Sequence, residues 1–274
     1  MASPKVTTET LREMKRQGDK IVALTAYDYL MGAILDQAGV DLLLVGDSMG
    51  TVVQGHDTTV SVTYEQVRYH SEMVARSAKR AFVVADMPFL SYQVSAEEAL
   101  RNAGILLKES LVEAVKIEGG RAVTSTVRRL SSAGIPVMGH LGLTPQSIHQ
   151  FGTYKVRGTN EEEATQIFED AISLEEAGVF GLVLEKIPSD LAARITEQLS
   201  IPTIGIGAGP NCDGQILVTH DMLGLFTRFH PRFVRRYGEL SKNIGTAVEA
   251  FVRDVKQDDF PNEGESYSGE DEGG

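Results

Sequence analysis

Carboxylates recur at the ends of short β-branched runs in this chain, and metal-assisted chemistry is what they could do together. Val45-Gly46-Asp47-Ser48 ends one run and Val84-Ala85-Asp86 the next. Val115-Lys116-Ile117-Glu118 ends a third, and Val183-Leu184-Glu185 a later one. If the runs are parallel strands, their C-terminal ends converge on one mouth, where barrel enzymes do chemistry. Asp47 and Asp86 fall on sequential strands, and two neighbouring carboxylates suit one hard cation. Mg2+ fits, because it uses few carboxylates and leaves positions for water and substrate oxygens. For either aspartate alone, the alternative is a cap on the helix or turn that follows.

Lys116 and Glu118 are two apart, so both face one side of the pleat, the expected barrel interior. A charged pair there must ligate something or form a structural bridge. Glu185 lies across the barrel from the aspartates and is placed to act as a general base. Its alternative is an ordinary ion pair with Lys186 or an arginine. His140, at the end of a fifth run, reads as a proton shuttle or substrate contact, or else as a hydrogen-bonded structural residue.

These residues need a repeating scaffold, and the sequence supplies one. Apolar runs at 21–27, 41–47, 81–86, 114–118, 136–140, 179–185 and 202–207 read as strands buried on both faces. Helical segments lie between them. Thr63-x-x-Gln66 and Ser95-x-x-Glu98 are capping-box patterns, Asn160 is an N-cap, and Gly39, Gly134 and Gly178 are stops. Ile216-Leu217-Val218 follows strand seven too closely for a crossover of about ten residues. The expectation is therefore a helix over 212–223, strand eight over 232–237, and a last helix over 239–256. Eight alternating units favour a (β/α)8 barrel over an open doubly wound sheet. The loops 49–62 and 141–159 are long enough to be lids. The glycines from Gly205 to Gly209 are a phosphate cradle or simply a tight turn.

Composition narrows the class. The chain has 274 residues, 42% hydrophobic, which suits one catalytic domain over 1–256. A net charge of -12 argues against nucleic acid as a partner. Seven of those charges fall between Asp258 and Gly274 without a Lys or Arg, so 257–274 is expected to be a disordered acidic tail. No apolar run of about 18 residues suggests a membrane span. The first five residues lack the apolar core of a signal peptide. Cys212 is the one cysteine, so no intramolecular disulfide is possible and a cytoplasmic setting is expected.

Ordered blocks extend these readings. They include Leu24-Thr25-Ala26-Tyr27-Asp28, Leu44-Val45-Gly46-Asp47-Ser48 and Asp86-Met87-Pro88-Phe89. They continue with Val115-Lys116-Ile117-Glu118-Gly119-Gly120, the run from Gly139 to Gln146, the run from Ile204 to Gly209 and Cys212-Asp213-Gly214-Gln215. Over about 7–256 the chain resembles the ketopantoate (3-methyl-2-oxobutanoate) hydroxymethyltransferase family.

The resemblance implies a (β/α)8 TIM barrel of the phosphoenolpyruvate/pyruvate type, bound Mg2+ and a homodecamer. It implies transfer of a hydroxymethyl group from 5,10-methylenetetrahydrofolate to 3-methyl-2-oxobutanoate through a Mg-stabilised enolate, giving ketopantoate for pantothenate and coenzyme A synthesis. By position it assigns Asp47, Asp86 and Glu118 to the metal. It assigns Asp47, Ser48, Asp86 and Lys116 to substrate, and Glu185 to the catalytic base. The family often has Tyr-Lys-Val-Gln-Gly-Arg in the lid; here the run is Tyr154-Lys155-Val156-Arg157-Gly158-Thr159, and Lys186 replaces a small residue. Two rivals remain. One is a barrel of the phosphoenolpyruvate mutase and isocitrate lyase kind, although its Lys-Lys-Cys-Gly-His lid is absent. The other is a noncatalytic binding protein.

Overall fold

The computed structural model describes residues 4–267. Eight parallel strands close into a barrel in sequence order. They are β1 (Ile21–Thr25), β2 (Leu42–Val45), β3 (Phe82–Asp86), β4 (Ala114–Glu118), β5 (Val137–Gly142), β6 (Gly181–Glu185), β7 (Thr203–Ile206) and β8 (Gly214–Leu217). The first seven fall within the expected runs, apart from β5, which continues two residues further to Gly142. The helices start as their caps dictate. Thr63 and Gln66 form a reciprocal capping box at Tyr64–Ser77. Asn160 caps Glu161–Ala177, which stops at Gly178 in a left-handed conformation.

Strand eight corrects the sequence reading. It is Gly214–Leu217, inside the expected helix at 212–223, while 232–237 forms no strand. The length argument assumed that the chain must descend a whole strand between β7 and β8. The register shows otherwise: Gly214 pairs with Ile204, so β8 starts only two residues below the end of β7. That descent is about 7 Å at the usual rise, within reach of a short glycine-rich turn. Asp213 therefore sits at the entrance to β8. There it pairs with Lys15 at 2.8 Å and accepts from the Thr203 N–H at 2.8 Å. Cys212 is buried beside it, and burial pushes its thiol pKa up.

The barrel interior has an apolar lower part and a charged upper rim. Ile21, Ala23, Leu42, Leu44, Phe82, Val84, Ala114, Met138, Val183, Ile204 and Ile216 belong to one buried cluster. Val6 and Leu11 join it from the N-terminal segment and its helix Thr8–Gln17. Side chains two apart on a strand share a face. Phe82 and Val84 are thus followed on that face by Asp86, Ala114 by Lys116 and Glu118, Met138 by His140, and Val183 by Glu185. The strand period itself carries each column from core into rim.

The chain divides into two compact units, Met1–Thr219 and His220–Gly274. The first holds the whole barrel. The second carries helix Leu240–Lys256, close to the expected last helix, with Phe251 packed edge-on against Phe260 at 5.4 Å. The expected boundary at 256 differs from this division at 219. Within the expected tail, Asn262 caps a single turn of 3-10 helix at Glu263–Glu265. The rest of that expectation, residues 268–274, lies outside the described residues.

Candidate active site

The ladder sets the rim in register. Asp86 on β3 is the direct partner of Lys116 on β4, and Glu118 on β4 is the partner of His140 on β5. Asp47 follows β2 by two residues, and its N–H donates to Asp86 Oδ2 at 2.9 Å. Gly46 makes room for that approach: a Cβ there would lie 2.8 Å from Ser48 Oγ and 3.4 Å from Asp86 Oδ2. Asp47, Asp86, Lys116, Glu118 and His140 are all at least 95% buried.

Ion pairs thread through the cluster. Lys116 Nζ is 2.8 Å from Asp86 Oδ1, 3.7 Å from Glu118 Oε1 and 3.2 Å from His140 Nδ1. His140 Nδ1 is also 3.2 Å from Glu118 Oε1, while its Nε2 is 3.3 Å from Glu185 Oε2. Two of these proximities lack hydrogen-bond alignment, so Asp86 Oδ1 and His140 Nε2 are buried without a hydrogen-bond partner. Ser48 is half-buried, and its hydroxyl lies 2.8 Å from Tyr27 OH.

Electrostatics follow from burial and proximity. Burial pushes the Asp47 carboxyl well above the usual range, and the charges of Asp86 and Glu118 push it further. Burial raises Asp86 too, with Lys116 only partly offsetting the effect. Glu118 behaves differently: burial would raise it, but His140 and Lys116 outweigh burial and hold it low. Lys116 is likewise penalised by burial, yet the surrounding carboxylates raise its pKa. His140 is pressed down by burial and by Lys116, but Glu118 and Glu185 carry it up to about 9.

These residues fit Mg2+. Four carboxyl groups meet one ammonium and one imidazole in a largely buried site, so acidic groups outnumber basic ones there. Asp86 Oδ1 is a buried acceptor lacking an aligned donor. Asp47 and Asp86, both raised by burial, are groups whose ionised forms a cation would favour. Among the described residues no three His, Cys, Asp or Glu form a ready-made cage.

Gln146 and Tyr92 belong to the site without having been expected there. Gln146 Nε2 donates to Asp47 Oδ2 and to Met87 O, each at 2.9 Å, and its backbone N–H donates to Glu118 Oε2 at 3.0 Å. Tyr92 OH lies 2.8 Å from Gln146 Oε1 and accepts from the Glu118 N–H at 3.2 Å. The only sequence signal was the position of Gln146 at the end of the block Gly139 to Gln146, which begins inside β5.

The expected lid over 141–159 folds inward at its start. Pro145–Ser147 and Ile148–Phe151 are short helical turns, and Ile148 is buried. The departures from the lid pattern have partners. Lys186 Nζ donates to the Tyr154 carbonyl. The Arg157 guanidinium pairs with Glu163 and sits 4.0 Å over the Phe151 ring. The expected lid over 49–62 begins with a short helix, Met49–Val52. No helix among the described residues is long and apolar enough to cross a membrane.

The fold is similar to solved barrels of distant sequence. Phosphonopyruvate hydrolase in complex with oxalate and Mg++ aligns with a TM-score of 0.60 at 11% identity, over 95% of this chain and 93% of the other. A 2,3-dimethylmalate lyase of the phosphoenolpyruvate mutase/isocitrate lyase superfamily aligns with a TM-score of 0.56 at 17% identity, over 96% and 92%. These likenesses establish the barrel class alone. Sequence relatives are far nearer. A 3-methyl-2-oxobutanoate hydroxymethyltransferase of Prosthecochloris aestuarii is 59% identical over 268 residues, covering 96% of this chain and 97% of the relative. One from Cytophaga hutchinsonii is 58% identical over 263 residues, covering 96% and 97%. The ketopantoate hydroxymethyltransferase family model matches residues 5–263, so this chain, with its acidic rim on a closed eight-stranded barrel, belongs to that family of transferases.

Proposed function

We propose that the enzyme transfers a hydroxymethyl group from 5,10-methylenetetrahydrofolate to 3-methyl-2-oxobutanoate, giving ketopantoate for pantothenate and coenzyme A synthesis. One observation carries the mechanism. Glu185 stands on β6, opposite the Asp47–Asp86 pair, with its Oε2 3.3 Å from His140 Nε2 at the edge of the charged rim.

In this reading Asp47 and Asp86 hold Mg2+, and Glu118 supports the site, directly or through water. When bound, the ion supplies Lewis-acid stabilisation of negative charge developing on the keto acid. Ser48 and Lys116 orient the substrate, and the buried ammonium adds positive charge that needs no reorganisation as the reaction proceeds. Glu185 takes the C3 proton, and the electron pair of the broken C–H bond moves toward the 2-oxo oxygen. That pair then forms the bond from C3 to the methylene carbon of the donor, as one C–N bond of the donor opens. Hydrolysis replaces the remaining C–N bond with C–O and releases tetrahydrofolate. His140, its pKa carried up to about 9, places a positive charge 3.3 Å from the Glu185 carboxylate. The family resemblance also supports a cytoplasmic homodecamer, which sedimentation of the purified protein would check.

The test is proton NMR of 3-methyl-2-oxobutanoate in D2O with enzyme, with and without Mg2+, followed by addition of methylenetetrahydrofolate. The expected result is Mg2+-dependent loss of the C3 proton signal, and then ketopantoate. Exchange without product would reject the folate donor. Neither exchange nor product, in folded metal-loaded protein, would reject the whole assignment.

A further inference from the structure

We infer that Gln146 is a positioning residue that fixes how the carboxylates meet the metal; the inference rests on the metal reading given above. Gln146 is 5% exposed, and its side-chain amide has a partner for every donor and acceptor. The assignment of its nitrogen and oxygen follows from those partners. The Met87 carbonyl and Asp47 Oδ2 are both acceptors, so the NH2 must face them. On the other side Oε1 faces two donors, Gln93 Nε2 at 3.4 Å and Tyr92 OH at 2.8 Å, the hydroxyl sharing its proton with the Glu118 carbonyl oxygen at 3.0 Å. The amide orientation is thereby determined.

The consequence is geometric. Gln146 holds Oδ2 of Asp47 by a hydrogen bond and so fixes the direction in which the carboxylate's remaining lone pairs point. The same residue commits Glu118 Oε2 through its backbone N–H, while Glu118 Oε1 faces Lys116 and His140. One loop residue therefore sets the rotamers of two carboxylates that come from different strands. Asp47 follows its strand on an irregular segment and has no ladder of its own to hold it. Partners that orient metal ligands in this way typically govern affinity about 10–100-fold.

The test uses the intact protein and Mn2+ in place of Mg2+, with free Mn2+ read by electron paramagnetic resonance and no substrate present. Gln146→Met keeps the volume and removes both donors. Tyr92→Phe leaves Gln146 in place and removes the hydroxyl that orients it. Circular dichroism and thermal unfolding establish that each variant is folded. The expected result is binding weakened about tenfold in Gln146→Met and by less in Tyr92→Phe. In the double variant the losses should combine to less than their product, because Tyr92 acts through Gln146. In C3 exchange, the Mg2+ concentration for half-maximal rate should rise more than the maximal rate falls.

Parent-like Mn2+ affinity in folded Gln146→Met, with the parent binding normally, would overturn the inference and leave the metal reading intact. Absence of binding in the parent would overturn both. If Gln146→Met does not fold, Tyr92→Phe decides: binding equal to the parent there overturns the inference.

Discussion

Replacing Lys116 by Met is the sharpest probe of the buried charge cluster. Methionine keeps an unbranched chain of similar length and removes only the ammonium. At an effective dielectric of about 20, the 2.8 Å contact with Asp86 and the 3.7 Å contact with Glu118 represent about 6 and about 4 kcal/mol of gross attraction. The variant is also spared the desolvation of the ammonium, worth several kcal/mol, so the net loss is about 3–5 kcal/mol. For a chain of this size that lowers Tm by about 6–20 °C. The assay is calorimetry of metal-free protein with chelator present, at several pH values. The sign is fixed by linkage. Glu118 is held low in the parent, so its contribution is present above its unfolded pKa and fades as pH falls through the folded one. Without Lys116, the folded pKa values of Asp86 and Glu118 move up. A raised carboxylate pKa opposes folding increasingly as pH climbs above the unfolded value. The gap in Tm between parent and variant should therefore widen from about pH 5 to about pH 7. A gap of less than about 2 °C, or one that does not change with pH, would refute the claim that this lysine neutralises buried carboxylates.

Three further outcomes follow from the same geometry. Glu185→Gln should lower C3 proton exchange at least about 100-fold while Mn2+ binding stays within about twofold of the parent; equal exchange rates would reject Glu185 as the base. Gly142→Ala should cost about 2–4 kcal/mol in denaturant unfolding, because φ is +91° and the new Cβ would lie 2.2 Å from the Glu185 carbonyl oxygen. It should also slow exchange, since that carbonyl belongs to the proposed base. Asp36 takes three backbone N–H bonds, from Lys79, Arg80 and Ala81, which outweigh burial and hold its pKa low. Asp36→Asn turns one of those acceptors into a donor and should cost about 1–3 kcal/mol at neutral pH. The parent's extra stability is present above the usual value of 3.8 and disappears as pH falls through the depressed folded pKa, so the two unfolding curves should converge in acid.

The barrel was legible because a buried parallel strand is a short apolar run that local pattern detects, and because caps such as Thr63 and Asn160 mark where helices begin. Strand eight was not legible for a definable reason. Spacing along the chain measures how far a connection could reach, while the stagger between strands decides how far it has to go. Ile204 pairs with Gly214, so the connection between β7 and β8 needs to descend only two residues. That stagger is a property of the closed barrel and leaves no trace in the run Ile216-Leu217-Val218, which looked like the strand it is.

Asp86, Glu118 and Glu185 could be placed at the barrel mouth because each ends a short apolar run, and the two-residue period puts Lys116 on the same face as Glu118. Asp47 closed the expected run 41–47, whereas the strand itself ends two residues earlier, at Val45. Gln146 obeys no such rule. It lies in a polar loop, where a glutamine reads as solvent-facing, and it reaches Asp47 across 99 residues of sequence. Tyr92 meets it from a different loop, 54 residues away. What brings them together is closure of the barrel mouth, which places the loops after β3 and β5 over the same rim. Most groups of the charged rim come from strand ends, where local pattern places them. The groups that aim them come from loops, where only the assembled fold determines which donor faces which carboxylate.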